Sequence, residues 1–191
     1  MANLPKRTNR PEADKSDLLN AAAQSLATRG IQAFTLELVA KEAGVSKGGL
    51  LHHFSNKKAL LDGLFIREME VFRQHILATM QNDPVKVGRA ARAYIGIGQA
   101  PASTPPGIIR HLLAAMLIDP QISQEWTHHY WQTIKSIGLF ENITTPQLLA
   151  CLAMDGLSLW DILETDLLSQ KSREDLEKLM TELTGQSEKN S

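Results

Sequence analysis

The chain has 191 residues, 43% hydrophobic and 21% charged, with one cysteine and a formal net charge of −1. That apolar fraction is ample for a packed core and excludes disordered and disulfide-stapled classes; Cys151 alone can neither close an internal bridge nor build a thiolate zinc site. Charge is uneven: residues 1–60 carry nine Lys or Arg against five Asp or Glu, residues 61–191 eleven against sixteen, which fits a nucleic-acid-binding head on an acidic body or chance scatter.

In chain order, residues 1–14 read as a flexible basic tail. The stretch from Met1 to Ser16 is polar, with Lys6, Arg7 and Arg10 and no apolar run behind them, so a signal peptide is not expected. The tail could be a minor-groove arm or simply solvated. No run reaches the roughly 18 apolar residues of a membrane span, so a cytoplasmic protein with no membrane partner is expected.

Periodicity is helical nearly everywhere and no convincing strand alternation occurs, which predicts an all-α fold of about nine helices. The first runs from about Lys15 to Arg29, with Leu18, Ala22 and Leu26 at helical spacing and Gly30 as its stop. Thr35 can cap Leu36 to Ala43, and Ser46 can cap Lys47 to His53. Only Gly44-Val45-Ser46 separates these two short helices, so they must cross steeply as a helix-turn-helix.

A longer helix from near Asn56 to Met80 follows, linking head to body. Asp83-Pro84 reads as a cap and first residue for a helix to Gly98, and the Pro-rich stretch from Ala100 to Gly107 as a loop. Helices over Ile108 to Ile118, Gln121 to Ile137, Pro146 to Leu168 and Ser172 to Leu183 complete the set, the last opened by the capping box Ser172-Arg173-Glu174-Asp175.

The segment from Thr35 to Phe54 is patterned to present one short helix. Leu50 and Phe54 lie four apart on one face, and Gly48 and His52 fall opposite, flanked by Lys47 and Leu51. Adjacent glycines cost a helix roughly 1 kcal/mol each relative to Ala, and close approach of backbone to a partner surface is one thing they permit. Ser46 is explained equally by capping.

Phe34-Thr35, Val39-Ala40, Glu42-Ala43-Gly44-Val45-Ser46-Lys47-Gly48, His53-Phe54 and Lys57-Lys58-Ala59-Leu60 together resemble the DNA-binding head of the TetR family of transcriptional regulators, over about residues 15–62. The resemblance implies a homodimer whose paired heads enter successive major grooves of a palindromic operator. It also implies base-edge approach by Lys47, Gly48, Gly49 and His52, and phosphate contacts by Thr35, Ser46, His53 and Lys57 or Lys58. Lys47 suits guanine O6/N7 or phosphate. Leu51 stands where the family often has tyrosine; it cannot donate to phosphate and would meet a thymine methyl instead. His52-His53 could also be an accident of the surface, and Lys57-Lys58 a solvated face.

Residues 63–191 then read as a ligand-binding and dimerisation domain. Trp126, His129, Tyr130 and Trp131 crowd one helix, His111 and Met116 lie on the preceding one, and Cys151, Met154, Asp155 and Trp160 on the helix from Pro146. Core packing or a pocket for a largely apolar effector explains them. Asp155 interrupts an apolar run, where a buried carboxylate seeks a partner or a ligand donor. The histidines lack metal-ligand spacing, and neither a nucleophile elbow nor a phosphate loop occurs, so neither a metal, a cofactor nor an enzyme is expected.

Leu148, Leu152, Leu159 and Ile162, with Leu176, Leu179, Met180 and Leu183, form either the dimer surface or the remainder of a monomer core. The expected function is a DNA-binding repressor released from its operator by a small ligand. The alternative is a constitutive DNA-binding or protein-interaction module without sensing.

Overall fold

The structure, a computed structural model, describes residues 14–98, 108, 111–113, 115–116, 120–163 and 167–185. Lys6, Arg7 and Arg10 and the loop expected at Ala100 to Gly107 lie outside the described residues. The described residues are helical with no strand: α1 (Lys15–Arg29), α2 (Leu36–Glu42), α3 (Lys47–His53), α4 (Lys57–Asn82), α5 (Arg89–Gly98), α6 (the described positions of 108–116), α7 (Pro120–Ser136), α8 (Thr145–Leu163) and α9 (Gln170–Gly185). None is long and apolar enough to cross a membrane. The chain divides into two compact units, residues 1–64 and 65–191, with the first turns of α4 in the first unit and the remainder in the second.

In the first unit every helix start is capped by a side chain. Asp14 Oδ1 accepts from Ser16 N, Thr35 Oγ1 from Leu38 N, Ser46 Oγ from Gly49 N and Asn56 Oδ1 from Ala59 N, each satisfying an amide that the helix leaves open. Between α2 and α3 the chain reverses at Gly44, whose φ of +71° is left-handed, and Val45 N donates to Ala40 O at 2.9 Å. Leu18, Leu26, Phe34, Val39, Leu50, Phe54 and Leu60 form the core. Gly63 sits where a Cβ would come within 2.8 Å of the Phe54 ring, so α4 packs against the end of α3 only without a side chain there.

In the second unit α5, α8 and α9 share a cluster of Ile95, Ala150, Met154, Leu157 and Met180, with Leu168 and Leu183 packed against it. Three helix boundaries differ from expectation. Asp83-Pro84 does not start α5: Asp83 Oδ1 accepts from Val85 N, and its Oδ2 takes Arg92 Nε at 2.8 Å. Arg92 also donates to the carbonyls of Val85, Val87 and Thr184, so this guanidinium holds residues 83–88 as a non-helical strap and α5 begins at Arg89.

The second difference is at the end of α8, last helical at Leu163, with residues 167–168 non-helical. A helix continued to Leu168 would carry it about 16 Å past Leu157, away from the cluster it packs against. The third is the cap of α9. Ser169, not Ser172, provides it, its Oγ accepting from Ser172 N at 3.1 Å, so the expected capping box lies inside the helix.

Candidate nucleic-acid interface and ligand site

α3 has two unlike faces. Leu50 and Phe54 are buried, while Ser46, Lys47, Gly48, Leu51, His52 and His53 are exposed and Gly49 half-exposed. A Cβ built on Gly48 would meet only Ser46 Oγ at 3.8 Å, and one on Gly49 Ser46 Oγ at 3.4 Å and Val45 Cβ at 3.9 Å, all ordinary contacts. Neither φ is positive among the described residues. The fold itself therefore has no use for either glycine, and both leave bare backbone on the outer face of a helix whose inner face is packed.

The remaining head residues fall into groups. Thr35 and Ser46 are exposed caps whose hydroxyls are already engaged. Lys47 Nζ lies 2.5 Å from Glu37 Oε1 in an exposed ion pair, and its hydrogen bond to Glu37 lowers that carboxyl's pKa. His52 and His53 meet edge to face at 5.5 Å. Lys57 and Lys58 turn to their own unit: Lys57 Nζ donates to Ile31 O at 3.4 Å and lies 5.7 Å from the Phe34 ring, and Lys58 pairs with Asp62 at 2.9 Å. The sequence reading missed Glu37, though an acidic residue in the first turn of α2 was a signal.

In the second unit Tyr94 joins two of the expected ligand residues, Tyr130 and Asp155. Tyr94 of α5 donates its phenolic proton to Asp155 Oδ1 at 2.7 Å, which leaves Tyr130 of α7 to donate to the Tyr94 oxygen at 3.0 Å. Asp155 thus finds the partner that its place in an apolar run demanded. It keeps exposed area, yet enough protein surrounds the carboxyl that desolvation raises its pKa, with the Tyr94 bond pulling the other way. Desolvation also pushes the Tyr130 phenol to about 12 and, with Asp155 adding to it, the buried Cys151 thiol to about 12.

Trp126 is buried and stacked on Phe65, ring centroids 4.3 Å apart, and His129 meets the same phenyl edge-on at 5.9 Å. His111 and Met116 are half-buried on α6. Tyr94, Phe65 and Glu68 were not expected from sequence as ligand-site residues. Each falls on an apolar helical stripe, the signal that could have found them. Among the described residues no three His, Cys, Asp or Glu side chains gather as metal ligands.

One side of α8 and α9 is apolar and open. Leu148, Leu149, Leu152, Leu159, Trp160 and Leu163 of α8, and Leu176 and Leu179 of α9, are exposed. Gly156 falls within that stripe, with nothing in reach of a Cβ. Met180 and Leu183 instead belong to the core cluster, so for these two the monomer-core alternative holds; the side chain of Ile162 lies outside the described residues.

The family model for bacterial regulatory proteins of the tetR family matches residues 18–64, and that for the tetracyclin repressor-like C-terminal domain matches residues 88–185. KstR2, an HTH-type transcriptional repressor of Mycolicibacterium smegmatis, is 34% identical over 58 residues, 30% of this chain and 28% of that protein. An Escherichia coli K12 protein named "Probable acrEF/envCD operon repressor" is 30% identical over 86 residues, 42% of this chain and 39% of that one. The chain thus spans well under half the length of these curated relatives.

Among solved structures, a transcriptional regulator from Rhodococcus sp. Rha1 superposes with a TM-score of 0.67 at 23% identity, covering 91% of this chain and 95% of that one. The multidrug binding protein EbrR complexed with ethidium gives 0.63 at 18%, covering 95% and 99%. At such identities the likeness shows the fold. One family model covers the helix-turn-helix and the other half of the chain, so the chain belongs to the tetR family of bacterial regulatory proteins, transcription regulators and not enzymes.

Proposed function

We propose that this regulator is a cytoplasmic repressor that binds a palindromic operator as a homodimer and leaves it when a small, largely apolar ligand enters the second unit. The observation that carries the DNA half is α3: an exposed face with two glycines the fold does not need, beside a lysine and a helix start whose amides favour phosphate. Base-edge approach falls to Lys47, Gly48, Gly49, Leu51 and His52, and phosphate contact to Thr35, Ser46 and His53. Lys57 and Lys58 would first have to leave their present partners.

The open apolar stripe on α8 and α9 supports pairing with a second copy. A helix apolar on both sides needs a second surface to cover it, and Gly156 lets a partner helix come close.

The ligand half rests on the hydrogen-bonded Asp155, Tyr94 and Tyr130, polar groups among the aromatic side chains of Phe65, Phe72 and Trp126. That EbrR, of the same fold, has been solved with ethidium and with imidazole supports it. A ligand shifts DNA binding only by its differential affinity for competent and incompetent states. α4 is the covalent route for that bias, being one helix with residues in both units.

A thermal-shift screen of hydrophobic small molecules, followed by anisotropy of a labelled operator, tests the proposal. A compound that raises the melting temperature should also lower operator occupancy. Stabilising compounds that leave occupancy unchanged would favour a constitutive DNA-binding module.

A further inference from the structure

Glu68 is the one carboxylate among the described residues whose side chain is nearly sealed from solvent, at 1% exposure. Arg67, its neighbour in sequence, sends both Nε (2.9 Å) and Nη2 (2.5 Å) to the same oxygen, Oε1. Oε2 is buried without a hydrogen-bond partner. Buried carboxylate oxygens are ordinarily paired, and a missing donor is costly. Desolvation accordingly raises the Glu68 pKa, the Arg67 bonds opposing it.

The surroundings are aromatic. Glu68 follows Phe65 by three residues and precedes Phe72 by four, so all three share one face of α4. Phe65 stacks on Trp126, and Phe72 meets Tyr94 edge-on with centroids 6.0 Å apart. Tyr94 is hydrogen-bonded to Tyr130, one turn beyond Trp126 on α7. These contacts form a circuit from α4 to α7, to α5 and back to α4, and Glu68 occupies the α4 level between its two phenylalanines. A second carboxyl, Asp155, adjoins the circuit through Tyr94.

We propose that Glu68 Oε2 receives an ammonium N–H of an amphipathic organic cation, which makes the effector an apolar amine and not a neutral or anionic compound. This deepens the ligand half of the proposed function and rests on it. Two carboxyls repel an anion, and ring faces attract a cation. Arg67 already balances the carboxylate's charge at Oε1, but a neutral hydroxyl on Oε2 gives only an ordinary hydrogen bond, whereas an ammonium gives a charge-assisted one, roughly twice as strong.

The test uses the full chain and three compounds of one skeleton: 4-phenylbutylamine, 4-phenyl-1-butanol and 4-phenylbutyrate. Calorimetry and thermal shift at pH 7 should show the amine binding at least tenfold more tightly than the alcohol, with no binding of butyrate. Glu68→Gln should reduce the amine to the alcohol's affinity, whereas Glu70→Gln, at an exposed carboxylate of the same helix, should keep the preference. Should Glu68→Gln fail to fold, Glu68→Asp retracts the charge without removing it and should narrow the preference, and the wild-type comparison stands alone.

Equal binding of amine and alcohol, tighter binding of butyrate, or a preference that survives folded Glu68→Gln would overturn the cation assignment while leaving a ligand site in place. Failure of all three compounds to bind would overturn it too. The DNA-release screen then decides the ligand reading separately.

Discussion

Replacing Gly48 and Gly49 by alanine separates what the fold needs from what DNA needs. In a helix interior each Gly→Ala change is worth roughly 0.8–1.0 kcal/mol. The added Cβ atoms meet nothing closer than 3.4 Å, so no steric term offsets that gain. Both positions lie in the first turn of α3, so the interior figure is an upper bound, and the double variant should be up to about 1.5–2 kcal/mol more stable in urea denaturation followed by circular dichroism. On DNA the same methyls lie where the backbone approaches the groove, and losing one good base contact costs about 1–3 kcal/mol, or roughly 5- to 150-fold in affinity. Fluorescence anisotropy with a selected operator should thus show a better folded and worse binding protein. A stabilised variant with unchanged affinity would remove the glycines from the interface, and a destabilised one would refute the free-space reasoning itself.

Four further outcomes follow from particular contacts. Glu37→Gln should strengthen operator binding at low salt by freeing Lys47 from its ion pair, and that gain should vanish in a Lys47→Ala background, as a double-mutant cycle will show. Uracil in place of the thymine nearest Leu51 should weaken wild-type binding about fourfold, the worth of one buried methyl, and should not affect Leu51→Ala. Gly88→Ala should lower stability in urea by about 1–3 kcal/mol, since φ there is +73° and a Cβ would lie 2.6 Å from both Gln147 Nε2 and Thr184 O. For Glu68 the folded pKa is raised above 4.5, so the native state holds its proton more tightly and stability falls as pH rises through the window above 4.5. Melting curves from pH 4 to 7 should therefore show wild type losing ground to Glu68→Gln as pH rises; a constant difference would mean that burial does not perturb this carboxyl.

The head was legible because its signals are local. Thr35, Ser46 and Gly44 each act on backbone within three residues of themselves, so their types and spacing placed α2 and α3 to within a residue. The start of α5 was not legible, because Asp83 is claimed by Arg92 nine residues on, and that guanidinium is aimed by Thr184 at the far end of the unit. Ser172 misled for a related reason: a capping box in sequence competes with an equally good serine three residues earlier.

In the ligand site, Asp155 stood out as the single charge in an apolar run. Glu68 did not, since Arg67, Glu68 and Glu70 together look like a solvated face. Only its register with Phe65 and Phe72 betrays that it points inward.

The central claim is that two copies of this chain read DNA through paired α3 helices. Selection of bound DNA from a random pool by the full-length protein tests it most directly. An inverted repeat should emerge with half-site centres about 34–36 Å apart, or a multiple of that turn, and Gly48→Ala/Gly49→Ala should fail to enrich it. Enrichment of a non-repeated site, or of the same repeat by the glycine variant, would contradict the account.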